Sequence, residues 1–273
     1  MRLVKNNKAR ILGATALLAM AHSTTAAAPI CRTSAELAVD ADGAPDSYRV
    51  DGKGLSYTCD GVFAIVAGVP QTQRNNPRHW QELCNQYWER AKATGDYSKV
   101  KIVGFLRNGR GPVIQGAGDP FPGAAYVTTT SLVVPGTPEG TQRHYVNASE
   151  IPYIVGAFPA ASGMRLGDVL AVYRPRTGRL AFAVWGDCCS LGEGSVRLHQ
   201  DLGNNPIRIG ADGTRRAKVG VADKIAYLLF PGRHTQARLD STAWRQEIQT
   251  KGQSALAAAG GVDRLKLCAH TGH

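Results

Sequence analysis

The sequence predicts an α+β domain rich in strands, a single domain with a curved sheet or barrel-like β core and a few peripheral helices. Three observations carry this reading. Short apolar runs with Val, Ile and Thr recur between turn residues, at 61–69, 100–106, 126–134, 151–155, 168–173, 180–186 and 225–230. Only 79–93 and the stretch from Asp240 to about Ala259 keep apolar side chains at extended helical spacing. No Pro/Ser-rich linker or internal repeat divides the chain after its leader.

The leader is residues 1–28. Arg2, Lys5, Lys8 and Arg10 precede an apolar run from Ile11 to Ala21, and small residues end at Ala26, Ala27 and Ala28. This is the pattern of a secretory signal peptide, with cleavage expected after Ala27 or Ala28. The apolar run is too short to span a bilayer. No lipobox precedes Cys31, so we expect no stable membrane anchor and a monomer in the periplasm or the medium. The formal charge of the whole chain is +11. Without the leader 28 Lys and Arg face 21 Asp and Glu, leaving +7 on residues 29–273. A basic secreted protein favours anionic partners. Nucleic acid is disfavoured, because the basic residues are scattered and no nucleic-acid motif occurs.

All six cysteines, Cys31, Cys59, Cys84, Cys188, Cys189 and Cys268, follow the leader. An even set in an oxidising compartment argues for up to three disulfides, with about 15 pairings open. A bridge from Cys188 or Cys189 would fix the segment around it. A nucleophilic Cys188 working with His199 is the rival reading, disfavoured because export consumes an even set in bridges.

Taken in order, 40–57 is rich in Asp, Gly and Pro and reads as a long loop. Its DADG start resembles half a calcium loop, but Ala44 and Pro45 stand where a ligand and a glycine belong, so no metal is expected. Asp40, Asp42 and Asp51 either form Asx turns or face a ligand, and Asp42 is kept as a substrate-binding candidate. A strand at 61–69 leads to the helix 79–93, where Trp80, Leu83, Cys84, Tyr87, Trp88 and Ala91 share a face that reads as core. Strands follow at 100–106 and 126–134. On the second, Tyr126, Thr130 and Ser131 are candidate ligand contacts, although β propensity alone accounts for its composition. Strands 168–173 and 180–186 form a hairpin through Pro175-Arg176-Thr177-Gly178. The strand 225–230 closes at Pro231-Gly232, and the last helix has Ser241 as its expected cap and Gly260-Gly261 as its stop. The tail, with Cys268, His270 and His273, reads as irregular peptide without metal.

The chemistry concentrates at 180–202. Leu180, Phe182 and Val184 alternate with Ala181 and Ala183, the pattern of a strand packed on one face, and Asp187 stands where that strand stops. Six residues on, Glu193 lies between Gly192 and Gly194 in a loop, and Ser195 caps a short helix carrying Leu198 and Leu202. Glycine at both flanks allows close approach of a ligand to the backbone. Two carboxylates across a short turn can divide the work of glycosidic hydrolysis, one protonating the leaving oxygen and the other activating water. Trp185 beside Asp187 predicts a raised pKa and the acid role there. The nearby helix start predicts an ionised Glu193 as base, and Ser195 is a further candidate contact.

The segment MRLGDVLAVYRPRTGRLAFAVWGDCCSLGEGSVRLHQDLG resembles the core of the glycoside hydrolase family 75 chitosanases. DADGAPDSYRVDGKGLSY from Asp40, PVIQGAGDPFPGAAYVTTTSL from Pro112 and YVNASEIPYIV from Tyr145 extend the resemblance over roughly residues 40–232. It implies an endo-acting enzyme that hydrolyses β-1,4-linked glucosamine polymer with inversion, with Asp187 and Glu193 as catalytic pair and no cofactor. The chain departs from the family at Cys188-Cys189, where a Gly-Pro pair and a longer loop are usual. Two alternatives accompany this expectation: a hydrolase of another cell-wall amino-sugar glycan such as peptidoglycan, and a secreted glycan-binding protein without catalysis.

Overall fold

The computed structural model describes residues 27–109 and 111–271, so the expected signal peptide up to Ala26 lies outside the described residues. In chain order the strands are β1 (Ile30–Ser34), β2 (Ala38–Asp40), β3 (Val62–Val66), β4 (Val69–Pro70), β5 (Val100–Ile102), β6 (Tyr153–Val155), β7 (Asp168–Arg174), β8 (Arg179–Asp187), β9 (Glu193–Ser195), β10 (Ile207–Ile209), β11 (Arg215–Ala217) and β12 (Ile225–His234). The helices are α1 (Thr58–Gly61), α2 (Trp80–Thr94), α3 (Val196–Asp201), α4 (Ser241–Ala258) and α5 (Gly261–Thr271).

β7, β8 and β12 make the centre because both of their faces are apolar. Phe182 and Val184 point into one buried layer with Trp244, Ile248 and Leu265 of the C-terminal helices. Ala181 and Ala183 point into the opposite layer with Leu198 and Leu202 of α3. The alternation in β8 therefore marks large and small residues on two covered faces, not one covered face. Gly252 lets α4 cross directly over the Phe182 ring, where a Cβ would collide. The seven strands run in the order β1-β12-β7-β8-β6-β9-β2, as an open mixed sheet that does not close into a barrel. β6 is parallel to β8 and antiparallel to β9, and β2 is parallel to β9. A satellite core of Tyr48, Val62, Trp88, Phe105 and Tyr126 forms around α2 and the small β4-β3-β5 sheet.

Several sequence expectations change. The stretch 126–134 is not a strand, because its amides serve different partners: Tyr126 N–H donates to Tyr48 O, Val127 to Val113 O, Thr128 to Gln142 Oε1 and Leu132 to Gly186 O. A β-branched run without one continuous neighbour makes isolated bridges only. β12 continues through Pro231-Gly232 with a shifted register. Asp240, not Ser241, caps α4 by accepting from Ala243 N–H at 2.9 Å. The tail is no irregular peptide: Gly261 begins α5, whose Leu265, Cys268 and Ala269 are buried and whose Cys268 is bridged to Cys31 of β1. Among the described residues no helix is long and apolar enough to cross a membrane.

Candidate active site

The site forms where β8, β6, β9 and β2 end side by side. Strict alternation along β8 would turn Asp187 away from Val184, onto the α3 face. A bulge prevents this: Tyr153 pairs with Val184 and Ile154 with Trp185, but Val155 pairs with Asp187, leaving Gly186 as the extra residue. Glycine is required there, since a Cβ would stand 2.6 Å from the Tyr153 Cβ. On its other side Val155 pairs with Glu193. Asp187 and Glu193 therefore flank one valine on one face of the sheet. Neighbouring strands lie about 4.8 Å apart, which sets the two Cα atoms about 9.6 Å apart.

Asp187 is held firmly. Its Oδ1 accepts from Ser131 N–H at 2.9 Å, from Ser131 Oγ at 2.6 Å and from Cys188 N–H at 2.8 Å. Glu193 is exposed, and among the described residues no donor reaches its carboxylate. Burial raises the pKa of Asp187, with the bonds from Ser131 and Cys188 opposing the rise. Although its side chain is exposed, protein packed around part of Glu193 desolvates its carboxyl and raises its pKa, and the negative charge of Asp187 raises it further. The rise by burial expected for Asp187 is therefore present, while Glu193, expected from sequence as a stabilised anion, is raised as well. Three donors favour the anion at Asp187, and none does so at Glu193. Trp185 does not supply the environment assumed for Asp187: its indole packs edge-on against Phe158 in the opposite layer, and its N–H donates to the Gly156 and Asp187 carbonyls. Nor does Glu193 lie in a loop at a helix start. It opens β9, two residues before the Ser195 cap of α3.

Two further carboxylates stand beside the pair. Ala38 pairs with Glu193, and Asp40 lies two residues along β2 on that same face, next to Ser195 in register. The buried Tyr153 hydroxyl donates to Asp40 Oδ2 at 3.0 Å and to the Asp42 carbonyl at 2.8 Å. Burial pushes Asp40 up to about 7, with the charges of Asp187 and Glu193 adding to the rise. Asp42 is pushed well above the usual carboxylate range by burial and then by Asp40.

The other sequence candidates divide. Ser131 is exposed and binds Asp187 directly, and Asp42 adjoins the cluster. Tyr126, Thr130 and Ser195 do not present themselves to a ligand. Tyr126 is 2% exposed and stacks on Phe105. The Thr130 hydroxyl donates to Leu132 O and accepts from Val146 N–H. Ser195 is fully buried, its hydroxyl donating to Ile151 O and accepting from Tyr153 and Leu198 N–H groups. Gly194 likewise serves packing, since a Cβ there would stand 2.8 Å from Leu198. Sequence reasoning did not select Asp40 and Tyr153 for the site. The one available signal was Asp40 opening an Asp-rich turn, because the partner that draws it in lies 113 residues away.

The cysteines pair as Cys31–Cys268, Cys59–Cys84 and Cys188–Cys189. The last bridge lies between the two acids, and Cys188, Cys189 and Ser190 are exposed. Cys188 is therefore no thiol nucleophile, and His199 is engaged elsewhere, with Nε2 on Ala38 O at 3.0 Å and Nδ1 on Asn204 at 3.1 Å. No protein-family model matches this chain, and no curated protein matches it either.

Proposed function

We propose that the Asp187–Glu193 face is the active site of a secreted, endo-acting glycoside hydrolase that cleaves β-1,4-linked glucosamine polymer by inversion. The observation that carries the reading is the placement of both acids on one face of the sheet, on either side of Val155 with a whole strand between them. Inverting enzymes hold their carboxyl groups about 6.5 to 9.5 Å apart to admit water, and retaining ones about 5 to 5.5 Å apart. A pair separated by a whole intervening strand suits the wider class.

In this mechanism Asp187 is the base. Three donors on Oδ1 favour its anion and leave Oδ2 to take a proton from the attacking water. Glu193, without donors and facing the charge of Asp187, holds the proton that goes to the leaving oxygen. The exposed setting of Ser131, Cys188, Ser190 and Glu193 suits a chain bound along its length rather than at one end. Asp40 and Asp42, held towards their neutral forms, add carboxyl hydrogen-bonding groups beside the pair. The negative charge for a cationic polymer comes from Asp187, which acts at the site itself, whereas scattered positive charges farther than about 8 Å are screened at physiological salt. The expected leader and the disulfides support export.

Incubation with chitosan, chitin and peptidoglycan, followed by reducing-end release, tests the substrate. We expect chitosan to be cleaved, and proton NMR to show the α-anomer first. Early β product would overturn inversion. Asp187→Asn and Glu193→Gln should each lower the rate by about 10²- to 10⁴-fold with the fold intact. Either variant retaining more than about a tenth of the rate refutes the assignment of the pair.

A further inference from the structure

The segment joining β8 to β9 holds a covalent bond whose placement separates it from the other two. Cys31–Cys268 ties β1 to α5 across 237 residues, and Cys59–Cys84 ties α1 to α2 across 25. Bridges of that span restrict the unfolded chain and so stabilise the fold. Cys188 and Cys189 are neighbours, so their bridge closes no loop of chain and has no comparable entropic effect. It is also exposed, whereas Cys59, Cys84 and Cys268 are buried and Cys31 is half-buried. Its one evident connection is to the site: Cys188 N–H is one of the three donors on Asp187 Oδ1.

We propose that the Cys188–Cys189 bridge is a positioning element of the acid pair, one that locks the Cys188 N–H onto Asp187 and that a dithiol reductant can unlock. Two independent features meet here, accessibility to a thiol and direct attachment to the carboxylate that the site depends on. The catalytic consequence rests on the reading of Asp187 as base; the structural coupling does not.

The chemistry balances with a dithiol as reductant. Its thiolate attacks one sulfur of the bridge, and the other cysteine leaves as a thiolate and takes a proton. The second thiol of the reductant then displaces the mixed disulfide, releasing the remaining cysteine as a thiol and closing the reductant's own disulfide. Two electrons and two protons pass to Cys188 and Cys189. Freed of the ring, the segment no longer fixes the Cys188 N–H, and Asp187 keeps only the two donors of Ser131. Loss of a hydrogen bond to the anion moves a carboxyl towards its protonated form.

The test uses the full oxidised protein without denaturant. Dithiothreitol is added in steps, thiols are alkylated, and peptide mass spectrometry locates the label, while carboxyl carbon-13 NMR follows the titration of Asp187. We expect Cys188 and Cys189 to be labelled first and together, with thermal stability almost unchanged. The Asp187 titration midpoint should rise by about one to two pH units, the scale of one hydrogen bond to a charged group. Chitosan hydrolysis should fall about tenfold in kcat with little change in KM, as for a lost transition-state interaction. The Cys188→Ser/Cys189→Ser variant should show the shifted midpoint from the outset and no response to dithiothreitol. First labelling of another pair, or an unchanged Asp187 titration after Cys188 and Cys189 are reduced, overturns the proposal. A shifted titration in a protein that cleaves no glycan upholds the coupling and refutes the hydrolase reading instead.

Discussion

Ser131 shows how much of the site depends on a residue remote in sequence. Its amide and hydroxyl both bind Asp187 Oδ1 across 56 residues, and the hydroxyl makes the shorter contact at 2.6 Å. Ser131→Ala removes the hydroxyl donor and leaves the amide. The pKa of Asp187 should rise, because a bond to the anion is lost. A base that is protonated at higher pH moves the acid limb of the pH–rate profile to higher pH. We expect kcat to drop about tenfold, in line with roughly 1.5 kcal/mol for a hydrogen bond to a charged group. An unmoved acid limb in Ser131→Ala would show that the bond does not tune the base.

At the scale of the element, the bulge in β8 decides whether there is a pair at all. A one-residue change of register turns a side chain to the opposite face of a strand. Without the extra residue at Gly186, Asp187 would face the layer of Ala183 and Trp185, separated from Glu193 by the sheet itself. Gly186→Ala places a methyl group against the Tyr153 Cβ and also disturbs the carbonyl that accepts from Leu132 N–H. Overpacking of this kind costs about 1 to 3 kcal/mol, and relief by flattening the bulge would rotate Asp187 off its face. The expected result is a lower melting temperature together with a fall in kcat larger than that of Ser131→Ala. Retention of full activity by a destabilised Gly186→Ala protein would separate the bulge from the site.

At the scale of the molecule, two predictions concern stability. The loop-entropy relation gives about 5.5 kcal/mol for closing the 237-residue span of Cys31–Cys268 and about 3.5 kcal/mol for the 25-residue span of Cys59–Cys84. Paired Cys→Ser changes followed by urea unfolding should rank them in that order, with Cys188/Cys189 far below both. The acid cluster sets the response to pH. Asp40 has its pKa raised from 3.8 to about 7 on folding, so the folded state holds its proton more tightly than the unfolded chain. Its contribution is fully present below about pH 4 and is lost as pH rises through about 7. Asp40→Asn keeps that position uncharged at every pH and should flatten the decline in melting temperature across that window. An equal decline in the variant would place the titrating group elsewhere.

Periodicity and local chemistry were enough for the parts whose partners are near in sequence. The alternation of β8, the turn joining it to β7, the Ser195 cap and the apolar face of α2 are all legible, because each rests on contacts within a few residues. The same local reading marked Asp187 and Glu193 as a candidate pair, though not their surroundings. The stretch 126–134 failed as a strand because β propensity describes a side chain's fit to a pleated surface and names no partner strand. The tail failed as irregular peptide because the packing of Leu265 and the bridge from Cys268 come from β1 and β12, more than 200 residues away for the bridge and about 40 for the strand. Tertiary structure alone decided which acid is held by donors, which residues complete the cluster, and that Cys188 pairs with its own neighbour. A hydrogen bond from Ser131 or Tyr153 to a carboxylate depends on where strands distant in sequence come to lie, and a one-residue bulge, invisible to any pattern of period two, determines the face on which they meet.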